Sequence, residues 1–154
     1  LFEFVILEGA QAGLSWLTIL KRREHYRRAF ADFQVDKIAA FDSVDVARLM
    51  LDKGIVRNRL KIESAISNAR HYQIIQSEYG SFSNYIWGFV SNAPIINHWS
   101  SQDSIPVTTV VSDRISSEMK KRGFRFFGST ICYAYMQAMG LVNDHYRDCF
   151  KYGQ

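Results

Sequence analysis

Apolar residues recur every three or four positions along most of this 154-residue chain, which is the spacing of amphipathic helices. The longest run, from Leu60 to Tyr79, predicts one long helix that begins at Arg57 or Asn58. The stretch from Leu14 to Phe30 predicts a second amphipathic helix, with a basic face opposite an apolar one. Strand-like alternation of apolar and polar residues is absent, so the sequence predicts an all-α domain. Shorter helices are predicted over residues 35–41, 43–51, 82–90, 112–121 and 129–139.

Serines mark the predicted beginnings of several of these helices. Ser43, Ser112 and Ser129 are the predicted N-caps, because a serine hydroxyl accepts a hydrogen bond from a free N–H of the first turn. Residues 130–139 are almost wholly apolar, so we expect their helix to be the most buried one. The connection over residues 91–109 holds both prolines and shows little periodicity, which indicates an irregular segment.

A carboxylate, two glycines and an indole lie close together between Glu8 and Trp16. Residues 1–7 are nearly all apolar, so a buried helix would carry Glu8 to the wall of a core, where a carboxylate needs a partner or a ligand. Gly13 permits an irregular turn, while Leu14 and Trp16 offer an apolar wedge and a flat stacking surface. This group suggests a pocket for a flat polar ring. The alternative is structural, with Glu8 capping a helix and Trp16 filling the core.

The composition limits the class of protein. A hydrophobic fraction of 47% and an aromatic fraction of 14% are typical of a globular chain, and 154 residues suffice for one domain or for two lobes that share a cleft. No membrane-length apolar run and no secretory signal occur, so we expect a cytoplasmic protein in which Cys132 and Cys149 stay reduced. Because Leu1 lies inside an apolar pattern with no preceding cap, we also expect that an upstream segment is missing.

Positive charge is clustered along the chain, and the net charge is +4. Such clusters suit a polyphosphate, although solvated helix faces look much the same. Between the helices that end near Leu51 and begin near Asn58, Gly54 marks a tight hairpin with Lys53 and Arg57 beside it. Unpaired N–H groups at a helix N-terminus would bind a phosphate there, and Gly54 would let a nucleic-acid backbone approach. The alternative is an ordinary connection between two helices.

His145 and Cys149 are four residues apart, which would place both side chains on one face of a helix. Imidazole and thiolate are zinc ligands, but a tetrahedral site needs four ligands, and the chain has no second compact Cys/His pair. The alternative is a surface helix without a metal.

Three long stretches of sequence resemble one known family. They are residues 7–16 (LEGAQAGLSW), 120–128 (KKRGFRFFG) and 130–145 (TICYAYMQAMGLVNDH). The chain resembles the DNA-3-methyladenine glycosylase I family of the helix-hairpin-helix superfamily, from residue 1 to residue 149. The resemblance implies an all-α, glycosylase-like helical domain. It also implies a monofunctional enzyme that hydrolyses the N-glycosidic bond of 3-methyladenine in double-stranded DNA and releases the free base.

The resemblance also implies roles for individual residues near the start of the chain. Glu8 would be the catalytic residue and would hydrogen-bond the flipped base, while Trp16 would stack on that base. Gly13 and Leu14 match the residues that fill the gap left in the duplex.

For the hairpin and the end of the chain, the resemblance implies binding roles. Lys53, Gly54 and Arg57 match the phosphate-binding hairpin in a degenerate form. His145 and Cys149 match two ligands of a structural zinc site, but the upstream segment with the other two ligands and part of the base pocket is absent, which leaves half a zinc site. We expect a monomer that binds no membrane. Two other classes stay open, a non-catalytic helix-hairpin-helix DNA-binding module and a helical interaction protein.

Overall fold

Nine α-helices make up most of residues 1–152, the part of the chain that this computed structural model describes. The predicted all-α class is confirmed. In order, the helices are α1 (Phe2–Gln11), α2 (Trp16–Leu20), α3 (Arg23–Ala29), α4 (Val35–Ala39), α5 (Ser43–Leu51), α6 (Arg59–Tyr79), α7 (Phe82–Gly88), α8 (Val110–Lys121) and α9 (Ser129–Ala138). Single 3₁₀ turns lie at Ala31–Phe33 and Gln102–Ser104. None of the described helices is long and apolar enough to cross a membrane.

Two very short strands, β1 (Ile95–Ile96) and β2 (Val142–Asn143), pair in parallel. The N–H of Ile95 donates to the carbonyl of Leu141 across a distance of 2.9 Å. The pair joins the irregular connection of residues 91–109 to the segment that follows α9. Two residues are too few to produce a recognisable alternation, so the sequence pattern did not indicate these strands.

Helix α1 is more deeply buried than α9. Seven of the ten residues of α1 are buried, whereas four of the ten in α9 are. The prediction that the helix over residues 129–139 is the most buried is therefore wrong, because Gln137 and Ala138 of α9 line an open cleft. Helix α1 packs against both α6 and α9. A polar residue on α1, such as Glu8, therefore enters the interior of the fold.

The stretch from Leu14 to Phe30 forms two helices, α2 and α3, instead of the single helix that its repeat predicts. Ser15 is the N-cap of α2, and its hydroxyl accepts a hydrogen bond from the N–H of Thr18 at 3.3 Å. The first half of the apolar stripe expected to face the core lies at the surface, since Leu17 is 59% exposed, whereas the second half, with Tyr26 and Phe30, is buried as expected. The leucines that produced the amphipathic pattern thus face outward.

Side-chain caps begin α5, α6 and α8, although the N-caps predicted for α5 and α8 are misplaced. Asp42, and not Ser43, caps α5. Thr109 caps α8, and Ser112 is the third helical residue, whose Oγ accepts a hydrogen bond from the Thr109 N–H at 2.8 Å. This reciprocal pair is a capping box, so the predicted serine takes part in the cap from inside the helix. Asn58 caps α6, as one of the two predicted starts of that helix.

Ser129 is the first residue of α9 and not its N-cap. Gly128 holds the N-cap position and provides no side-chain cap. The Ser129 hydroxyl donates to Asp113 Oδ1 and lies 2.8 Å from the hydroxyl oxygen of Ser112. Ser129 therefore joins α9 to α8, and this tertiary role could not be inferred from the local sequence.

A buried carboxylate, Asp144, fixes the segment that follows β2. It accepts hydrogen bonds from Asn97 Nδ2 at 2.8 Å, Trp99 Nε1 at 2.7 Å, the Tyr133 hydroxyl at 2.6 Å and Gln137 Nε2 at 2.8 Å. Burial on its own raises the pKa of Asp144, but the four hydrogen bonds more than offset this effect and lower it. The carboxylate therefore joins the 91–109 connection, α9 and the C-terminal segment.

We expect Asp144→Asn to lower the free energy of unfolding by about 2 to 4 kcal/mol at neutral pH, because an amide presents N–H groups to donors that need an acceptor. The folded-state pKa of Asp144 is lowered, so its contribution is complete above the unfolded-state pKa and is lost as the pH falls through the folded-state value. Urea unfolding measures the free energy of unfolding of the parent and of Asp144→Asn at neutral and at acidic pH. The difference between the two proteins should be smaller at acidic pH. The exposed Asp148→Asn is the control, and an equal effect of both variants would contradict this account.

Candidate active site

An open cleft of about 540 Å³ lies between α1, α2 and α9. This volume lies in the range of small-molecule sites, which is roughly 300 to 1,000 Å³. Glu8 and Trp16, which the sequence analysis placed in one pocket, are both on its wall. The remaining lining residues are Phe4, Gln11, Leu20, Ala134, Gln137 and Ala138.

Glu8 is the most unusual group in this cleft. Glu8 is only 4% exposed, and this burial raises the pKa of its carboxyl from 4.5 to about 7. Within residues 1–152, no side chain or backbone N–H donates a hydrogen bond to it, and no neighbouring charge offsets its desolvation. Buried carboxylates are normally paired or hydrogen-bonded, so an acceptor of this kind on the wall of a cleft is suited to a ligand that brings donors or positive charge.

Aromatic rings form another part of the wall. The ring centroids of Phe4 and Trp16 are 6.2 Å apart, with an angle of 36° between the planes. Phe4 lies four residues before Glu8 on α1, so both side chains lie on the same side of that helix. The guanidinium of Arg23 lies 5.9 Å from the centre of the Phe4 ring and donates to Glu3 at 2.6 Å. The positive charge over the Phe4 ring is therefore neutralised by a carboxylate.

A tight turn, residues 12–15, leads from α1 to α2; we call it the wedge turn. Gly13 adopts a φ of +76°, a left-handed conformation that favours glycine. The Leu14 N–H donates to the Gln11 carbonyl at 2.7 Å, and the Gln11 side-chain amide donates to the Leu14 carbonyl at 2.8 Å. These two hydrogen bonds hold Leu14 at the surface with 38% of its area exposed.

A second open depression, of about 550 Å³, separates the wedge turn from the hairpin between α5 and α6. We call it the hairpin groove. Leu14, Lys53 and Arg57, three of the predicted DNA-contacting residues, line this groove together. Gly54 lines a neighbouring depression, with Lys21 close to it. The other residues of the hairpin groove are Thr18, Arg22, Met50, Ile55 and Val56.

Gly54 is required by packing inside the protein. A Cβ atom at this position would lie 2.6 Å from Nδ1 of His25 and 2.8 Å from its Cβ, so no other residue fits without a shift of α3. The Gly54 N–H donates to Asp52 Oδ1 at 2.7 Å. The sequence analysis expected Gly54 to leave room for a nucleic-acid backbone. In the structure, the side chain of His25 occupies the space beside this glycine. The first turn of α6, which Asn58 caps, lies next to Arg57 and remains the helix N-terminus that suits a phosphate.

Ion pairing divides the basic residues into two groups. Several are neutralised by carboxylates on the protein surface, such as Arg122, which lies 2.6 Å from Glu78. Among the described residues, Lys21, Lys53 and Arg57 have no carboxylate within salt-bridge distance. These three cations, which line the two depressions, are therefore available to an external anion.

His145 and Cys149 lie together, but not on a helix. The segment after β2 is irregular, so the predicted helical face is wrong. The Nδ1 atom of His145 nevertheless lies 3.4 Å from Sγ of Cys149. Two ligands of one tetrahedral zinc ion are separated by roughly 3.5 Å, so this pair fits half of such a site. Within residues 1–152, no further His, Cys, Asp or Glu joins them in a group that could hold a metal.

A model of the methyladenine glycosylase family matches residues 1–152. DNA-3-methyladenine glycosylase 1 of Escherichia coli (strain K12) is 48% identical over 152 residues, which are 99% of this chain and 81% of that protein. The chain belongs to the methyladenine glycosylase family. The resemblance drawn from the three stretches of sequence is thereby confirmed.

Solved structures of this family have the same fold. A crystal structure of 3-methyladenine DNA glycosylase I matches with a TM-score of 0.94 and 49% identity, covering 97% of this chain and 82% of the other. A variant of 3-methyladenine DNA glycosylase I in complex with 3-methyladenine matches with a TM-score of 0.93 and 36% identity, covering 96% of this chain and 80% of the other. A methyladenine glycosylase with this fold therefore binds 3-methyladenine.

Sequence reasoning missed part of the wall of the cleft in this methyladenine glycosylase. Phe4 could have been found, because it lies one helical turn before Glu8. Gln137 could not have been found, because it is more than a hundred positions away and only the packing of α9 beside α1 brings it to the cleft. Arg22 was also missed, although its guanidinium donates to the Lys53 carbonyl at 2.9 Å.

We expect Glu8→Gln to stabilise the fold at alkaline pH. Because burial raises the pKa of Glu8 to about 7, the unfolded chain loses this proton before the folded chain does, so stability falls as the pH rises from about 4.5 to 7. Glutamine does not ionise and so does not lose this stability. The gain in the free energy of unfolding should reach about 1 to 3 kcal/mol above pH 7. Thermal unfolding across this range measures the gain, with the exposed Glu24→Gln as control. A gain that does not depend on pH would contradict the raised pKa.

Proposed function

We propose that this chain is a monofunctional DNA glycosylase that hydrolyses the N-glycosidic bond of 3-methyladenine in alkylated DNA and releases the free base. The observation that carries the proposal is the unpartnered, buried carboxylate of Glu8 beside Trp16 in a cleft large enough for a purine. Membership of the methyladenine glycosylase family supports it. The reaction belongs to base-excision repair of DNA.

Charge provides the basis for selectivity at Glu8. Methylation at N3 gives the adenine of a nucleotide a formal positive charge, which a normal adenine lacks. A cation beside Glu8 favours the ionised carboxylate and so offsets the cost of its burial, whereas a neutral base leaves that cost in place. The indole of Trp16 adds stacking and a cation–π attraction. The cleft thus binds the damaged base in preference to the undamaged one.

The same charge makes strong acid catalysis unnecessary. The bond between the sugar C1′ and N9 of the base breaks, and the base leaves with the bonding electrons and becomes neutral. A water oxygen then bonds to C1′ and releases a proton to solvent. Glu8 acts as the catalytic residue by holding the base through charge-assisted hydrogen bonds while the bond breaks.

Extraction of the base from the duplex costs a few kcal/mol of stacking and pairing. Leu14 is exposed at the tip of the wedge turn and would fill the space that the base leaves. The turn lies between the hairpin groove and the cleft lined by Glu8 and Trp16, which we call the base cleft. Gly13 gives the turn its shape. Lys53, Arg57 and the first turn of α6 would hold the phosphates on the other side of the groove.

The partner is double-stranded DNA with alkylated bases, and the product is free 3-methyladenine. We further propose that the enzyme acts as a monomer in the cytoplasm, where it meets cellular DNA. A glycosylase of this kind needs one protein chain to flip one base, and the base cleft and hairpin groove lie on the same chain.

The direct test is the release of free base from a duplex that holds a single 3-methyladenine. We expect release by this chain, and a loss of roughly tenfold to a hundredfold in single-turnover rate and in free-base affinity for Glu8→Gln, because a charge-assisted hydrogen bond is lost. Trp16→Ala should add to the loss. The control Glu24→Gln removes an exposed carboxylate and should match the parent. Tight duplex binding without base release would favour the non-catalytic DNA-binding module, and absence of both would favour an interaction protein.

The hairpin contacts predict a particular salt dependence. We expect Lys53→Met and Arg57→Met each to weaken binding of damaged and undamaged duplex equally and to reduce the slope of log affinity against log salt by about one. Fluorescence anisotropy over a salt series measures both quantities. The exposed Lys37→Met, on α4, is the charge-matched control. Selective loss of affinity for damaged DNA would contradict the phosphate assignment.

We also propose that His145 and Cys149 are two ligands of a structural zinc site. The 3.4 Å separation of Nδ1 and Sγ supports this proposal, and zinc would supply a rigid link for the C-terminal segment. With two ligands, residues 1–154 on their own should hold zinc weakly, and Cys149→Ser should weaken binding further. Metal analysis after dialysis measures this retention. One tightly held zinc per chain would show that further ligands exist within these residues.

A further inference from the structure

Lys61 connects the hairpin region to the wedge turn. It is the third residue of α6, and its own N–H donates to the Asn58 side chain at 3.1 Å. Its ammonium Nζ donates to the carbonyl oxygen of Ala10 at 2.9 Å and to that of Ala12 at 2.6 Å. These two contacts turn the ammonium toward the protein, and the partial burial that results lowers the pKa of Lys61.

The two carbonyls are at the C-terminal end of α1, where helix carbonyls lack intrahelical partners and the helix dipole is negative. Gln11 lies between them, and its side-chain amide holds the carbonyl of Leu14. The ammonium therefore holds the residues on both sides of Gln11, and the Gln11 side chain in turn holds Leu14. No side chain of α1 or of the wedge turn itself replaces this contact, since the Gln11 amide is already used at Leu14.

A second contact runs in the opposite direction. Arg22, which follows α2, donates from Nη1 to the Lys53 carbonyl at 2.9 Å and to the Ile55 carbonyl at 3.3 Å. Lys61, at the start of α6, thus contacts the start of the wedge turn. Arg22, which follows α2, contacts the hairpin in return. Charge-assisted hydrogen bonds to backbone carbonyls fix geometry more strictly than apolar contacts do.

We propose that Lys61 is a positioning residue that holds the Leu14 wedge at a fixed place relative to the phosphate-binding hairpin. DNA whose phosphates are held by the hairpin then presents the damaged nucleotide to the wedge. This inference rests on the proposed function. The Lys61 ammonium is held by the carbonyls of Ala10 and Ala12 and not by a phosphate, so its side chain acts through Leu14.

The test compares Lys61→Met with the control Lys37→Met in the full chain. On a fully paired duplex with one 3-methyladenine, Lys61→Met should lower kcat/KM roughly tenfold, because small misplacements of a positioned group have effects of this size or larger. The loss should shrink when the lesion is opposite an abasic site, where flipping costs less. Free-base affinity and the salt slope of DNA binding should stay at the parent values. Lys37→Met should match the parent in all of these measurements.

A double-mutant cycle with Leu14→Ala separates positioning from general damage. If Lys61 acts through the wedge, Lys61→Met should have little further effect in the Leu14→Ala background. Full additivity of the two changes would overturn the proposal, and so would a salt slope reduced by about one, which would make Lys61 a phosphate contact.

Lys61→Gln is the second variant if Lys61→Met does not fold, because its amide can still donate to one of the two carbonyls. It should show a smaller loss of kcat/KM on paired duplex than Lys61→Met, with free-base affinity unchanged. Equal losses of kcat/KM and of free-base affinity would overturn the inference. Failure of the parent chain to release base would contradict the proposed function. Base release by the parent together with unaltered Lys61 variants would contradict only the role of Lys61.

Discussion

The desolvated carboxylate of Glu8 is the feature on which the rest of the site depends. Ionisation of a group with a pKa raised to about 7 costs free energy at physiological pH, and none of the described residues offsets that cost with a hydrogen bond or a positive charge. A ligand that carries positive charge and N–H donors offsets it. The same burial that destabilises the empty site therefore makes it selective, since a neutral purine gains less from entering it.

Helix α1 combines structure and function because it is the most buried of the helices that line the cleft. Its apolar residues fill the core between α6 and α9, while its last turns carry Glu8 to the cleft and lead directly to the wedge. Polar contacts from distant parts of the chain hold that end of the helix, with the Lys61 ammonium on two of its carbonyls. Base recognition and DNA distortion are thus built on one rigid element, which is how precise sites are usually supported.

The helical class, the long α6 and the group around Glu8 could be predicted because each depends on local sequence. Helical periodicity is a short-range signal, and a lone glutamate after an apolar run is unusual wherever it occurs. The break between α2 and α3 was not predicted, because Leu17 and Leu20 imitate a core stripe while facing solvent. The caps at Asp42 and Thr109 were missed because several polar residues near a helix start compete for that position.

Contacts between distant segments were beyond the sequence pattern. The approach of Gln137 to Glu8, the packing of His25 on Gly54 and the four donors around Asp144 all arise from tertiary packing. The pairing of His145 with Cys149 is a mixed case. Their proximity was predicted from helical spacing, but an irregular segment produces it.

The pH dependence of kcat/KM on a duplex with one 3-methyladenine reports the ionisation of Glu8 in the free enzyme. The N3-methylated nucleotide has a fixed positive charge, so the titration observed near neutrality belongs to the protein. We expect kcat/KM to rise with pH up to about 7, in proportion to ionised Glu8, and then to level off. In Glu8→Gln this rise should be absent and the rate low throughout. A parent profile that is flat across this range, or a rise that persists in Glu8→Gln, would contradict the assignment of Glu8 as the charged partner of the base.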